Sequence, residues 1–165
     1  MFGFLKSKEK NKIISSPVKG ELIQLKKVND PTFAEEILGK GFAVIPQNGS
    51  VAAPADGLVN LVFETKHAIS MTTTFGAELL IHVGIDTVNL KGEFFKSFVS
   101  ENQSVKKGDL LLEFDIKAIQ DAGYDVTTPV VVCNSDDFSE IDIIEEKEVE
   151  QNEEVMHLVK SKLSL

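Results

Sequence analysis

Hydrophobic and polar positions along this chain repeat in short units rather than in long stripes. Ser16-Pro-Val-Lys-Gly20-Glu-Leu-Ile-Gln-Leu25 and Ala53-Pro-Ala-Asp-Gly57-Leu-Val-Asn-Leu61 share one form: a small residue, Pro, a two-residue spacer, Gly, then an extended apolar segment. Pro pre-sets a turn and Gly supplies the permissive backbone after it, so each unit predicts a turn feeding a strand. Val105–Phe114, with Gly108 as its punctuation, predicts another turn and strand. The run from Glu78 to Val83 is apolar on both faces if the chain is extended, which predicts a strand buried on both sides. Gly84 and Asp86-Thr87 then bring that strand out into a turn. Thr128–Cys133 reads as strand, and Val155–Val159 as a final edge strand.

Helical text is scarce. Thr32–Gly39 predicts a single capped turn, with Thr32 as N-cap, Glu35 three residues on and Gly39 as stop. Asp115–Gly123 predicts a second short helix with Asp115 as its cap. Many short strands and few helices make this an all-β protein, an antiparallel β-sandwich or barrel with an internally duplicated motif and one or two short helices. The repeat is too short and occurs too few times for a solenoid.

At 165 residues the chain is expected to form one domain over residues 13–165, preceded by a flexible segment over residues 1–12. The net charge of −9 is uneven: residues 136–154 carry ten acids against Lys147, and residues 1–12 carry four lysines against Glu9. That balance argues against nucleic acid and for basic protein partners. Phe2, Phe4 and Leu5 beside the lysines leave two readings of the N-terminus, a solvated tail or a weak contact with an anionic membrane surface. No apolar run approaches the ~20 residues of a spanning helix, and no signal-peptide core follows Met1. The single cysteine, Cys133, suits a reducing, cytoplasmic setting. Following three valines, it is expected to be an inert core thiol.

Two of the three histidines, His67 and His82, fall within Phe63–Leu90. His82 closes the buried run, with one face toward a core and one nitrogen free for chemistry. The segment Gly76-Ala-Glu-Leu-Leu-Ile-His82-Val-Gly-Ile-Asp86-Thr-Val-Asn-Leu90 resembles the active-site signature of the glucose-type enzyme IIA proteins of the bacterial sugar phosphotransferase system. Upstream, Phe63-Glu-Thr65-Lys-His67-Ala is similar to that family's second histidine site, and the likeness runs from about Ile14 to Asn134. The resemblance implies a β-sandwich phosphocarrier, a phosphotransferase component that stands alone or is fused to a permease. It would accept a phosphoryl group from the histidine phosphocarrier protein on His82. It would then pass the group to a cysteine of a sugar-specific enzyme IIB domain, whose enzyme IIC partner takes up the sugar. A second reading is a regulatory binding protein whose unphosphorylated face inhibits permeases or kinases.

A phosphoryl-carrying imidazole must be neutral at one nitrogen and held at the other. The carbonyl of Gly84 can take the Nδ1 proton of His82, leaving Nε2 as nucleophile, which is the nitrogen the family phosphorylates. Thr65 would share one face of an extended strand with His67 and orient it, so that His67 can stabilise the phosphoryl oxygens. For His67 to donate, it must be protonated or hold the other tautomer, and the sequence leaves both open. By resemblance, Asp86 helps to position a cationic donor, and Phe33 and Phe63 belong to an apolar ring that docks partners. Phe75 is expected in the core and His157 is expected to be an ordinary edge residue. No cofactor is called for, since transfer between aligned nucleophiles is mostly positioning and electrostatics. A zinc hydrolase would need a third ligand, and none is evident near the motif.

Overall fold

Both turn-then-strand units form as expected, and they lie in one sheet. A computed structural model describes residues 12–161. The first half of the chain gives strands β1 (Ile13–Ser15), β2 (Gly20–Gln24), β3 (Lys40–Pro46), β4 (Ser50–Ala52), β5 (Gly57–Val62), β6 (Ala68–Thr73) and β7 (Glu78–His82). The second half gives β8 (Phe95–Ser97), β9 (Ser104–Val105), β10 (Leu110–Phe114), β11 (Thr128–Val132), β12 (Phe138–Ile143), β13 (Lys147–Val149) and β14 (Glu154–Lys160). Helices are α1 (Pro31–Ala34) and α2 (Ile116–Asp121), with three short 3-10 turns besides. The expected N-terminal segment lies almost wholly outside the described residues.

One eight-stranded sheet runs in the order β13-β2-β3-β11-β7-β6-β5-β9. Two three-stranded sheets, β1-β14-β12 and β4-β10-β8, complete the fold. Every pairing is antiparallel, and each sheet keeps two edges, so the architecture is a sandwich and not a closed barrel.

The large sheet is apolar on both faces near its middle. Because side chains alternate along a strand, Leu79 and Ile81 of β7 enter the main core with Phe42, Val44, Val130 and Val132. Leu80 points the other way, onto a smaller cluster of Ile23, Leu25, Val28, Phe33, Ala43, Ile85 and Val131. His82 is in register with Leu80, so the imidazole emerges on the face of that smaller cluster. Burying Phe33 there stabilises the fold by about 1.5–3 kcal/mol.

Some expectations need correcting. The first helix is capped by Asp30 rather than Thr32: the Asp30 side chain accepts from the Thr32 N–H at 3.0 Å, and Pro31 occupies the first helical position. It also ends at Ala34, well before Gly39. The second helix is capped as expected, with Asp115 accepting from the Ala118 N–H at 3.0 Å. The strand containing Val155–Val159 is central in its sheet, between β1 and β12. His157 is therefore not an edge residue, and its Nε2 is buried without a hydrogen-bond partner among the described residues. Cys133 follows the end of β11 and is exposed, not in the core. Phe75 packs against the main core, half-buried.

Candidate functional site

The pairing of β6 with β7 sets Ala68 opposite His82, and the Val83 N–H donates to the His67 carbonyl at 2.7 Å. Sheet hydrogen bonding thus places the two histidines side by side at neighbouring strand ends. Their ring centroids lie 4.7 Å apart with the planes at 85°, edge to face. Phe33 packs on His82 with centroids 5.1 Å apart, and Phe63 on His67 at 5.6 Å. Four rings therefore pack in a row, tilted or edge to face, in the order Phe33, His82, His67, Phe63. His67 is buried, at 3% exposure, while His82 and Phe63 are half-buried.

Each imidazole is held at Nδ1. His82 Nδ1 lies 2.8 Å from the carbonyl oxygen of Gly84. A carbonyl only accepts, so Nδ1 carries the proton and the lone pair sits on Nε2. His67 Nδ1 lies 2.6 Å from the Thr65 hydroxyl, which can donate or accept. Thr65 and Lys66 form a turn, with Lys66 at φ 59°, so the contact is not made along an extended strand as expected.

Burial pushes both rings toward the neutral form. Desolvation, helped by the positive charge His82 would carry, lowers the pKa of His67 from 6.5 to about 4. Desolvation also lowers that of His82, opposed by the Gly84 carbonyl and by the charges of Asp30 and Asp86. Asp86 is exposed, in a left-handed conformation at φ 60°, and opens the 3-10 turn Thr87–Leu90. Asp30 was not singled out in the sequence, although Asp before Pro marks a helix start. Two imidazoles of low proton affinity, one with a free Nε2, make a site for a neutral nitrogen nucleophile.

Elsewhere, partial burial and then the charge of Glu78 push the Cys133 thiol up, which keeps it protonated and unreactive. Among the described residues, no group of three or more His, Cys, Asp or Glu side chains is placed to hold a metal ion. None of their helices is long and apolar enough to cross a membrane.

A family model for the phosphoenolpyruvate-dependent sugar phosphotransferase system, EIIA 1, matches residues 12–138. The chain is 44% identical over 150 residues to the glucose-specific EIIA component of Oceanobacillus iheyensis, covering 90% of this chain and 91% of that one. It is 45% identical over 146 residues to the beta-glucoside-specific EIIBCA component of Bacillus subtilis, covering 88% of this chain but only 24% of that much longer protein. Among solved structures, glucose permease IIA from Mycoplasma capricolum superposes with a TM-score of 0.83 at 35% identity, covering 88% of this chain and 94% of that one. With the paired histidines, the open β-sandwich and these likenesses in agreement, the chain belongs to the EIIA 1 family of the phosphoenolpyruvate-dependent sugar phosphotransferase system.

Proposed function

We propose that this chain is a cytoplasmic phosphohistidine carrier, with His82 as the acceptor. The observation that carries the reading is the Nδ1 proton of His82 held by the Gly84 carbonyl beside a second, buried imidazole. Nε2 of His82 attacks the phosphoryl group of the phosphorylated histidine phosphocarrier protein. An N–P bond forms, the donor's N–P bond breaks, and the electron pair returns to the donor imidazole. In the second half-reaction a thiolate of an enzyme IIB domain attacks the same phosphorus, and His82 leaves as a neutral imidazole with its Nδ1 proton in place. The B. subtilis relative, whose name joins B, C and A parts in one chain, supports that choice of acceptor.

His67 stabilises the transferring group. With a pKa of about 4 it is neutral near pH 7, so it offers a hydrogen from Nε2 only if the Thr65 hydroxyl donates to its Nδ1. That hydrogen bonds to the phosphoryl oxygens, whose charge needs most support in the second half-reaction, while His82 becomes the leaving group. His67 therefore matters more for donation than for acceptance. Asp86 and Asp30 give the mouth of the site a negative potential suited to a cationic donor surface. Half-buried Phe63, with the exposed Ile37, Leu38 and Val88 on the flanking segments, supplies apolar contact area for both partners. Phe33, only 3% exposed, serves the site by packing on His82 and not by touching a partner.

The test is incubation with the general phosphotransferase components and labelled phosphoenolpyruvate. Wild-type protein takes up label and His82→Ala takes none while remaining folded; label retained by the variant refutes the assignment.

A further inference from the structure

The peptide unit joining Gly84 to Ile85 is gripped from both sides. Its carbonyl oxygen accepts from His82 Nδ1 at 2.8 Å, and its N–H, on Ile85, donates to the Asp125 carbonyl at 2.9 Å. The preceding N–H, of Gly84, donates to the Thr127 carbonyl at 3.1 Å. Asp125 and Thr127 lie in the connection between α2 and β11, far in sequence from both histidines. Their two carbonyls are held at fixed spacing by a side chain: Asp125 Oδ1 accepts from the Thr127 N–H at 2.8 Å, an Asx turn. The fit is close. Gly84 sits at φ 81°, and a Cβ on it would lie 2.9 Å from the Asp125 oxygen.

We infer that Asp125 is a positioning residue for the transfer, acting through the Gly84–Ile85 peptide to hold His82 in the tautomer that leaves Nε2 free. The inference rests on the carrier reading of His82. A peptide whose N–H is already bonded is polarised toward its oxygen and accepts more strongly, by about 10–30% per bond in such chains. Its plane is also fixed, so the oxygen stays aimed at Nδ1. Without the turn, the Asp125 and Thr127 carbonyls lose their fixed spacing, the Gly84 oxygen is less well aimed at Nδ1, and the tautomer with the hydrogen on Nε2 gains population. That tautomer presents no lone pair to phosphorus. The carboxylates that act on the charge of His82 are those of Asp30 and Asp86, so Asp125 works by geometry. An amide oxygen at the same position can make the same turn.

The experiment compares full-length wild type, D125A and D125N. Imidazole nitrogen NMR at about pH 8, where both rings are neutral, reads the His82 tautomer directly. Single-turnover labelling from the phosphorylated histidine phosphocarrier protein reads acceptance, and a thermal midpoint checks the fold. D125A should raise the Nε2–H tautomer and slow acceptance about tenfold, the lower end of what losing an orienting partner costs a metal-ligating histidine. D125N should restore both. An unchanged tautomer in D125A, or a D125N shifted as far as D125A, overturns the inference. If wild type itself takes no label, the carrier reading fails; the tautomer comparison needs no donor and still decides the role of Asp125.

Discussion

Acid should unsettle this protein through its two paired imidazoles, and the share of His67 can be worked out and isolated. In the unfolded chain His67 binds a proton near 6.5, whereas in the fold, at 3% exposure, it does so only at about 4. Between those values the unfolded state holds more protons, so stability falls as pH falls. The contribution of neutral His67 is complete above pH 6.5 and gone below its folded pKa of about 4. At roughly 1.4 kcal/mol per unit, about 3 kcal/mol is at stake over the whole window, and about 2 kcal/mol of it is lost by about pH 5. Urea unfolding of wild type and His67→Gln at about pH 7.5, 6 and 5 isolates the effect, because the other ionising groups are common to both. Wild type should lose about 2 kcal/mol more than the variant over that range. Proton NMR of the His67 ring gives the same quantity directly. A His67 midpoint close to 6.5, or parallel loss in the two proteins, would refute the argument that burial keeps this ring neutral.

Two further outcomes test the division of labour and the tightness of the site. His67→Gln should still accept label at His82 yet hand it to the enzyme IIB cysteine ~10²–10³ more slowly, the usual cost of losing one donor to a developing charge; equal effects on both half-reactions would defeat it. Gly84→Ala drives a methyl into Thr87 Cγ2 at a backbone φ of 81°. Strain and overpacking together should cost about 2–4 kcal/mol in urea unfolding, and a loss under about 1 kcal/mol would show that the loop yields more easily than its contacts suggest.

The histidine pair was legible because Glu78–Val83 is a strand-length apolar run closed by turn residues, and because the two segments around His67 and His82 together resemble one family's signature. Period 2 also fixes that His82 shares a face with Leu80, and the nearest carbonyl beyond the strand is that of Gly84. The Thr65–His67 contact was foreseen with the wrong backbone, since nothing about Lys66 announces a left-handed φ. Thr32 looked like a cap because its capping box with Glu35 is a familiar signal; Pro31 at the first helical position points one residue earlier still, to Asp30. Cys133 continues a valine run in sequence, but the strand stops at Val132 and the chain has surfaced. The central place of β14 was not readable, because strand neighbours are chosen by chain closure and not by local periodicity. Asp125 was hidden for the same reason: its partners lie in a distant loop, and only its own turn with Thr127 is local.

The antiparallel pairing of β6 and β7 has a mechanical consequence. Most sites built on loops can adapt to whatever docks, because a loop deforms at little cost. Here the spacing between the two imidazoles is tied to interstrand hydrogen bonds on either side of Ala68 and His82. Each ring is also latched at Nδ1, to Thr65 or Gly84. Widening the gap means breaking sheet hydrogen bonds in the middle of an eight-stranded sheet, an opening that draws on much of the global stability. The protein therefore behaves as a rigid jig: it offers every partner the same stencil, and any accommodation at the interface falls to the chain that docks.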